Sequence, residues 1–256
     1  MNYAHLSVQE RDGIFVLTLN RPNSLNALNM DALAEIREVL DCIKRKDGLQ
    51  GLIFTGQGEK AFCAGADLKN VREMDPQDFL EFINISFEVW ERIWNMPVPT
   101  AAALNGLALG GGCELALACD FRLAVKEAVL GLPEINHGLL PGWGGILFML
   151  RIVGRAKTLE HVLTGKTITA EQALEMGLIT QITSRETLLP EAERLVSTIA
   201  KKGLQAVKWA KQVINDYQTA DLRKAFIHEA LSGLACFVTD EAKKGVENFS
   251  LKNKKK

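Results

Sequence analysis

The chain has 256 residues, 30 Lys and Arg against 31 Asp and Glu, a formal net charge of −1, and is 47% hydrophobic and 24% charged. Such a composition belongs to an ordinary globular protein and excludes fibrous and disordered classes. The near-neutral balance leaves no electrostatic footprint for nucleic acid or an anionic membrane, and the basic tail Lys252-Asn-Lys-Lys-Lys256 reads as a solvated end.

Five cysteines, at 42, 63, 113, 119 and 236, contain no Cys-x-x-Cys pair. They form neither a disulfide framework nor a thiolate metal site, which suits a reducing compartment. No basic-then-apolar leader opens the sequence, and no apolar run reaches the roughly 18 residues of a membrane span. A cytoplasmic protein of one large domain with an appendage is expected.

In chain order, Leu6–Glu10 and Ile14–Asn20 are β-prone runs joined through Asp12-Gly13, a hairpin turn signal. Met30–Arg45 carries Leu33, Ile36, Val39, Leu40 and Ile43 at helical spacing, with Asn29 or Asp31 as cap. Gly51–Thr55 reads as a buried strand ending at Gly56. Asp75-Pro76 signals a second helix, with an apolar stripe of Phe79, Ile83, Phe87, Trp90 and Trp94 that Pro97 ends. Pro99–Leu104 resembles a buried strand, Gly110–Leu117 a turn entering a helix, and Phe121–Val125 a strand. Strands alternating with helices predict an α/β core, placed at residues 1–190. Leu188–Ala200, Leu204–Tyr217, Leu222–Phe237 and Ala242–Phe249 are helical patterns, so residues 191–256 are expected to form a helical module.

Two segments stand out for their small residues: Ala61-Phe-Cys-Ala-Gly-Ala-Asp67 and Asn105-Gly-Leu-Ala-Leu-Gly-Gly-Gly-Cys-Glu-Leu115. Small residues let backbone approach a ligand, and Gly110 to Gly112 before a helix would aim N–H groups at an anion or developing oxyanion. A tight strand-to-helix turn explains the glycines equally well. Walker, dinucleotide and nucleophile-elbow patterns are absent, and the histidines at 5, 137, 161 and 228 show no metal-ligand spacing. Glu114 and Glu134 lie among apolar neighbours. Burial would raise their pKa values into the range of proton transfer; alternatively each caps a helix N-terminus.

Ala61-Phe-Cys-Ala-Gly-Ala-Asp-Leu-Lys69, Ala108-Leu-Gly-Gly-Gly-Cys-Glu-Leu115 and Gly131-Leu-Pro-Glu134 closely resemble the enoyl-CoA hydratase (crotonase) family. Leu19-Asn-Arg-Pro22, Leu25-Asn-Ala-Leu28, Leu163–Ala170, Ala173–Leu178 and Thr239–Gly245 extend the likeness over nearly the whole chain. The resemblance implies a spiral of ββα turns, a helical C-terminal trimerisation module, and a homotrimer or a hexamer of two trimers. It also implies an acyl-CoA thioester substrate and hydration of a 2-enoyl-CoA to a 3-hydroxyacyl-CoA without metal or redox cofactor. By the same likeness, the N–H groups of Ala66 and Gly111 form an oxyanion hole, Glu114 activates water, and Glu134 delivers a proton to Cα. Ala64, Ala66, Leu68 and Lys69 are the implied CoA contacts, with Lys252 reaching a neighbouring subunit's CoA.

Asn23, Trp143, His137, the run Gly144-Gly-Ile-Leu-Phe-Met149 and the stretch Phe249-Ser-Leu-Lys252-Asn253 depart from the family pattern. Trp143 and His137 are therefore candidates for the acyl pocket, with a core tryptophan as the other reading of Trp143. An enoyl-CoA isomerase, a hydratase of a cyclic dienoyl-CoA and an RNA-binding relative are the competing functions; the last is disfavoured by the net charge.

Overall fold

A computed structural model of the chain describes residues 3–217 together with 230, 231, 233–235, 239, 240 and 244. The first strands, β1 (Leu6–Arg11) and β2 (Ile14–Leu19), pair antiparallel with Arg11 opposite Ile14. Asp12 and Gly13 between them both have positive φ, 51° and 75°, the twist-matched geometry that Asp-Gly supplies.

Helix α1 (Met30–Lys44) begins where the Asn29 side chain accepts from the Ala32 N–H, so Asn29 is the cap and Asp31 falls in the first turn. Its buried face holds the five expected residues with Ala32. Strand β3 (Gly51–Gly56) follows, then a short β4 (Ala61–Cys63), a single helical turn α2 (Leu68–Val71) and α3 (Pro76–Trp94). Asp75 and Asp78 close a reciprocal capping box on α3. Asp75→Ala is expected to cost about 1 kcal/mol, lowering Tm by roughly 2–4 °C in a thermal melt.

The stripe expected on α3 is displaced. Phe82, Ile85, Ser86, Val89, Trp90 and Ile93 are the buried positions, whereas Phe87 is 57% exposed. The helix is apolar on two adjacent faces, and the spacing 82, 85, 89, 93 turns inward against α1.

Next come β5 (Thr100–Leu104), β6 (Leu107–Leu109), α4 (Gly111–Ala118), β7 (Phe121–Val125), β8 (Val129–Gly131) and α5 (Gly145–Thr164). After them follow β9 (Ile168–Thr169), α6 (Ala170–Glu175), β10 (Gln181–Thr183), α7 (Leu188–Ala200) and α8 (Leu204–Tyr217). One sheet has the order β1-β2-β3-β5-β7-β10, the other β4-β6-β8-β9. Strands β3, β5 and β7 each hand the chain to a partner in the smaller sheet before a helix returns it. These are the ββα turns that the resemblance implied. All residues of β5 are buried, as suits a parallel strand covered on both faces.

The chain divides into two compact units, Met1–Ser197 and Thr198–Lys256. Of the helical patterns at the C-terminal end, α7 and α8 form as read; most of those at 222–237 and 242–249 lies outside the described residues. Among the described residues no helix is long and apolar enough to cross a membrane.

Candidate active site

Strands β4, β6 and β8 run parallel and side by side, and the chain leaving each C-terminal end enters one cavity of about 240 Å³. From β4 comes the turn Ala64-Gly65-Ala66, from β6 Gly110-Gly111 and α4, and from β8 Pro133-Glu134. The carboxyl ends of parallel strands are where α/β sheets open crevices for ligands.

The loop after β4 is strapped down by backbone. Ala64 N donates to Leu25 O, Leu28 N to Gly65 O and Asp67 N to Leu28 O. Arg21 adds a 2.9 Å ion pair to Asp67 and a hydrogen bond to Ala27 O. The Ala66 N–H takes part in none of these bonds. Asn26, fully buried with φ of 57°, joins the Arg21 N–H to the carbonyls of Gln57 and Ala61.

Gly111 opens α4, so its N–H has no acceptor within that helix. A Cβ on Gly65 would lie 3.4 Å from Gly111 N and 3.6 Å from Gly110 Cα, which shows how closely the two loops meet. Gly110 has φ 51° and ψ −126°, a conformation open essentially to glycine, and a Cβ there would sit 2.8 Å from Glu134 Oε1.

Glu114 is 1% exposed. Its Oε1 accepts from Gly145 N at 2.8 Å and Trp143 N at 3.0 Å. The carboxylate therefore does cap a helix, but α5 rather than its own. Burial pushes Glu114 up to about 8, the Glu134 charge adds to the rise, and the two N–H donors oppose it. Glu134 opens a 3-10 turn, Glu134–His137. It too is raised by burial, and its Oε2 is buried without a hydrogen-bond partner. The positive charge of His137 holds that rise back. His137→Gln is thus expected to move the Glu134 carboxyl to higher pH in a titration followed by its side-chain carbon shift; an unmoved titration would remove His137 from the electrostatics of the site.

The cavity brings together Ala64, Ala66, Leu68, Gly111, Glu114, Glu134, His137 and Trp143. Lys69 is exposed on α2 and does not line it, and Lys252 lies outside the described residues. Trp143 is 6% exposed, in the core, and also forms cavity wall. The sequence reading missed Phe82 as lining and took Phe79 and Ile83 for core stripe; they too face the cavity. It also missed the N–H groups of Trp143 and Gly145 that hold Glu114, for which Gly144-Gly145 before an apolar helical run was the available signal.

Residues 9–256 match the family model for enoyl-CoA hydratase/isomerase. The chain belongs to the enoyl-CoA hydratase/isomerase family. Within it, the chain is 36% identical to a crotonyl-CoA hydratase of Syntrophomonas wolfei, covering 99% of this chain and 98% of that protein. It is also 36% identical to a short-chain-enoyl-CoA hydratase of Clostridium acetobutylicum over 96% of this chain and 95% of that one. A crystal structure of an enoyl-CoA hydratase from Bacillus anthracis superposes with a TM-score of 0.93 at 34% identity, covering 97% and 96% of the two chains. This hydratase/isomerase chain thus has the α/β crotonase architecture that its motifs implied. Among its described residues, no three His, Cys, Asp or Glu side chains are grouped to hold a metal ion.

Proposed function

We propose that the chain is a hydro-lyase that reversibly adds water to a 2-enoyl-CoA, giving a 3-hydroxyacyl-CoA. The observation that carries this reading is a pair of raised carboxyls facing one cavity beside the paired backbone turns at Ala66 and Gly111. The Ala66 and Gly111 N–H groups hold the thioester oxygen as negative charge develops on it, which only backbone donors and small residues are needed to do.

Addition of water then needs one base and one acid. Burial raises both carboxyls, and the Glu134 charge raises Glu114 further, so a proton is held at the site above the ordinary carboxylate range. The reactive form has the charge on Glu114, where two N–H donors support it, and the proton on Glu134, whose Oε2 has no donor; burial keeps Glu114 protonated up to about 8, so this form builds up as Glu114 loses its proton. Glu114 takes a proton from water as its oxygen bonds to Cβ, and Glu134 gives its proton to Cα. At the cavity rim, Leu68 and Ala64, with the exposed Lys69 ammonium just beyond it, suit the CoA moiety. Exposed leucines on α5, Leu147 at 61% and Leu163 at 63%, support assembly into a homotrimer or larger oligomer.

The direct test follows the absorbance of the conjugated thioester of crotonyl-CoA, with chromatography of the product. Rapid loss with formation of 3-hydroxybutyryl-CoA is expected. Persistence of the absorbance under conditions where crotonyl-CoA binds would overturn hydration.

A further inference from the structure

The Trp143 indole lies where a Cβ of Gly111 would be, with Cε3 2.5 Å and Cη2 3.3 Å from that point. Its main-chain N–H meanwhile holds Glu114. One residue therefore touches both the turn assigned to the thioester oxygen and the carboxylate assigned to Cβ. The ring has no room to swing away. Phe82 packs edge-on against it at 4.8 Å and 90°, Trp90 at 6.1 Å and 63°, and both are fully buried on α3.

A thioester whose oxygen meets Ala66 and Gly111, and whose Cβ meets Glu114, must carry its next carbons past this indole. We propose that Trp143, braced by Phe82 and Trp90, is the acyl-length determinant of the site and restricts it to short-chain 2-enoyl thioesters. This rests on the hydratase reading for the placement of the thioester. A flexible wall could yield to a longer chain. An indole packed against Gly111 and against the rings of Phe82 and Trp90 cannot do so without disturbing the core.

The test compares crotonyl-CoA with trans-2-decenoyl-CoA for the wild type, Trp143→Leu and Trp143→Ala. The wild type is expected to prefer the crotonyl thioester, and each truncation to raise the decenoyl-to-crotonyl ratio of kcat/KM by about tenfold or more. Calorimetric binding of butyryl-CoA and decanoyl-CoA, which cannot be hydrated, measures the same ratio without chemistry. Failure of the wild type to hydrate either enoyl thioester would sink the hydratase reading alone, since the binding ratio still judges the pocket. Equal binding of the two saturated thioesters by the wild type, or a ratio unmoved by both substitutions, would overturn the length limit. The leucine variant keeps apolar volume in the core, so a folding defect in the alanine variant leaves the comparison intact.

Discussion

Glu114→Gln is expected to lower the hydration rate by about 10²–10⁴-fold while raising thermal stability at alkaline pH. The two effects share one origin. The amide oxygen of glutamine still accepts from Trp143 N and Gly145 N, so the cap on α5 survives. What disappears is the group proposed to take the proton and the cost of burying its charge. The folded chain titrates Glu114 at about 8 against 4.5 when exposed, so between those values it keeps a proton that the unfolded chain has released. Stability therefore falls as pH rises through this window, and the full penalty above it is on the order of 5 kcal/mol. The Tm advantage of the variant should widen from about pH 5 to about pH 9. A carboxylate serving only as a helix cap would give a variant with unchanged turnover. An enzyme that merely shifts a double bond through Glu134 would also tolerate the change, and a 3-enoyl thioester, followed by the gain of conjugated absorbance, tells the two apart: turnover unchanged in the variant would mean isomerisation.

Gly112→Ala should be the most damaging of the single-methyl additions at the site. The added Cβ would fall on the carbonyl oxygen of Cys63 and within 2.7 Å of the carbonyl carbon and Cβ of that residue. Cys63 ends β4 and is paired to Ala108 in the small sheet, so its backbone cannot yield cheaply. Overpacking of this kind costs about 1–3 kcal/mol or more. Relief by moving the first turn of α4 would displace Gly111 and Glu114 together, and a shift of about 1 Å costs roughly 10²-fold in rate. Gly111→Ala meets the Trp143 ring instead. Combining it with Trp143→Ala should recover part of the stability loss, whereas the same partner should do nothing for Gly112→Ala. Melts and crotonyl-CoA rates of the singles and doubles check this; rescue of both glycines alike would show that the backbone of β4 gives way.

Much of this was legible in the sequence because the signals are local. Asn29, the Asp75-Pro76 pair and the Asp12-Gly13 turn each fix a boundary through atoms within a few residues. The three-residue strands β4, β6 and β8 were not legible as strands, being too short for a period to show. Phe87 was misplaced because aromatic residues occupy both faces of α3, and only the packing of α1 decides between them. The two glutamates stood out by their apolar surroundings. That Glu114 caps α5 depends on residues 29 and 31 positions away, a tertiary pairing with no local signature.

The small sheet also acts as a ruler. Its neighbouring strands repeat at about 4.8 Å, and the proposed donor after β4, the donor after β6 and the carboxyl after β8 stand on successive rungs. Spacing among the proposed reacting groups is thereby set by main-chain ladder pitch, which replacements in the cavity wall leave in place. The walls are a separate matter, built by α2, α3, the turn at 134–137 and the stretch 139–143 that leads into α5. A lineage of such chains is free to exchange Trp143, Phe79 or His137 and so change its acyl partner, while the grid beneath continues to present the same geometry to every thioester that enters.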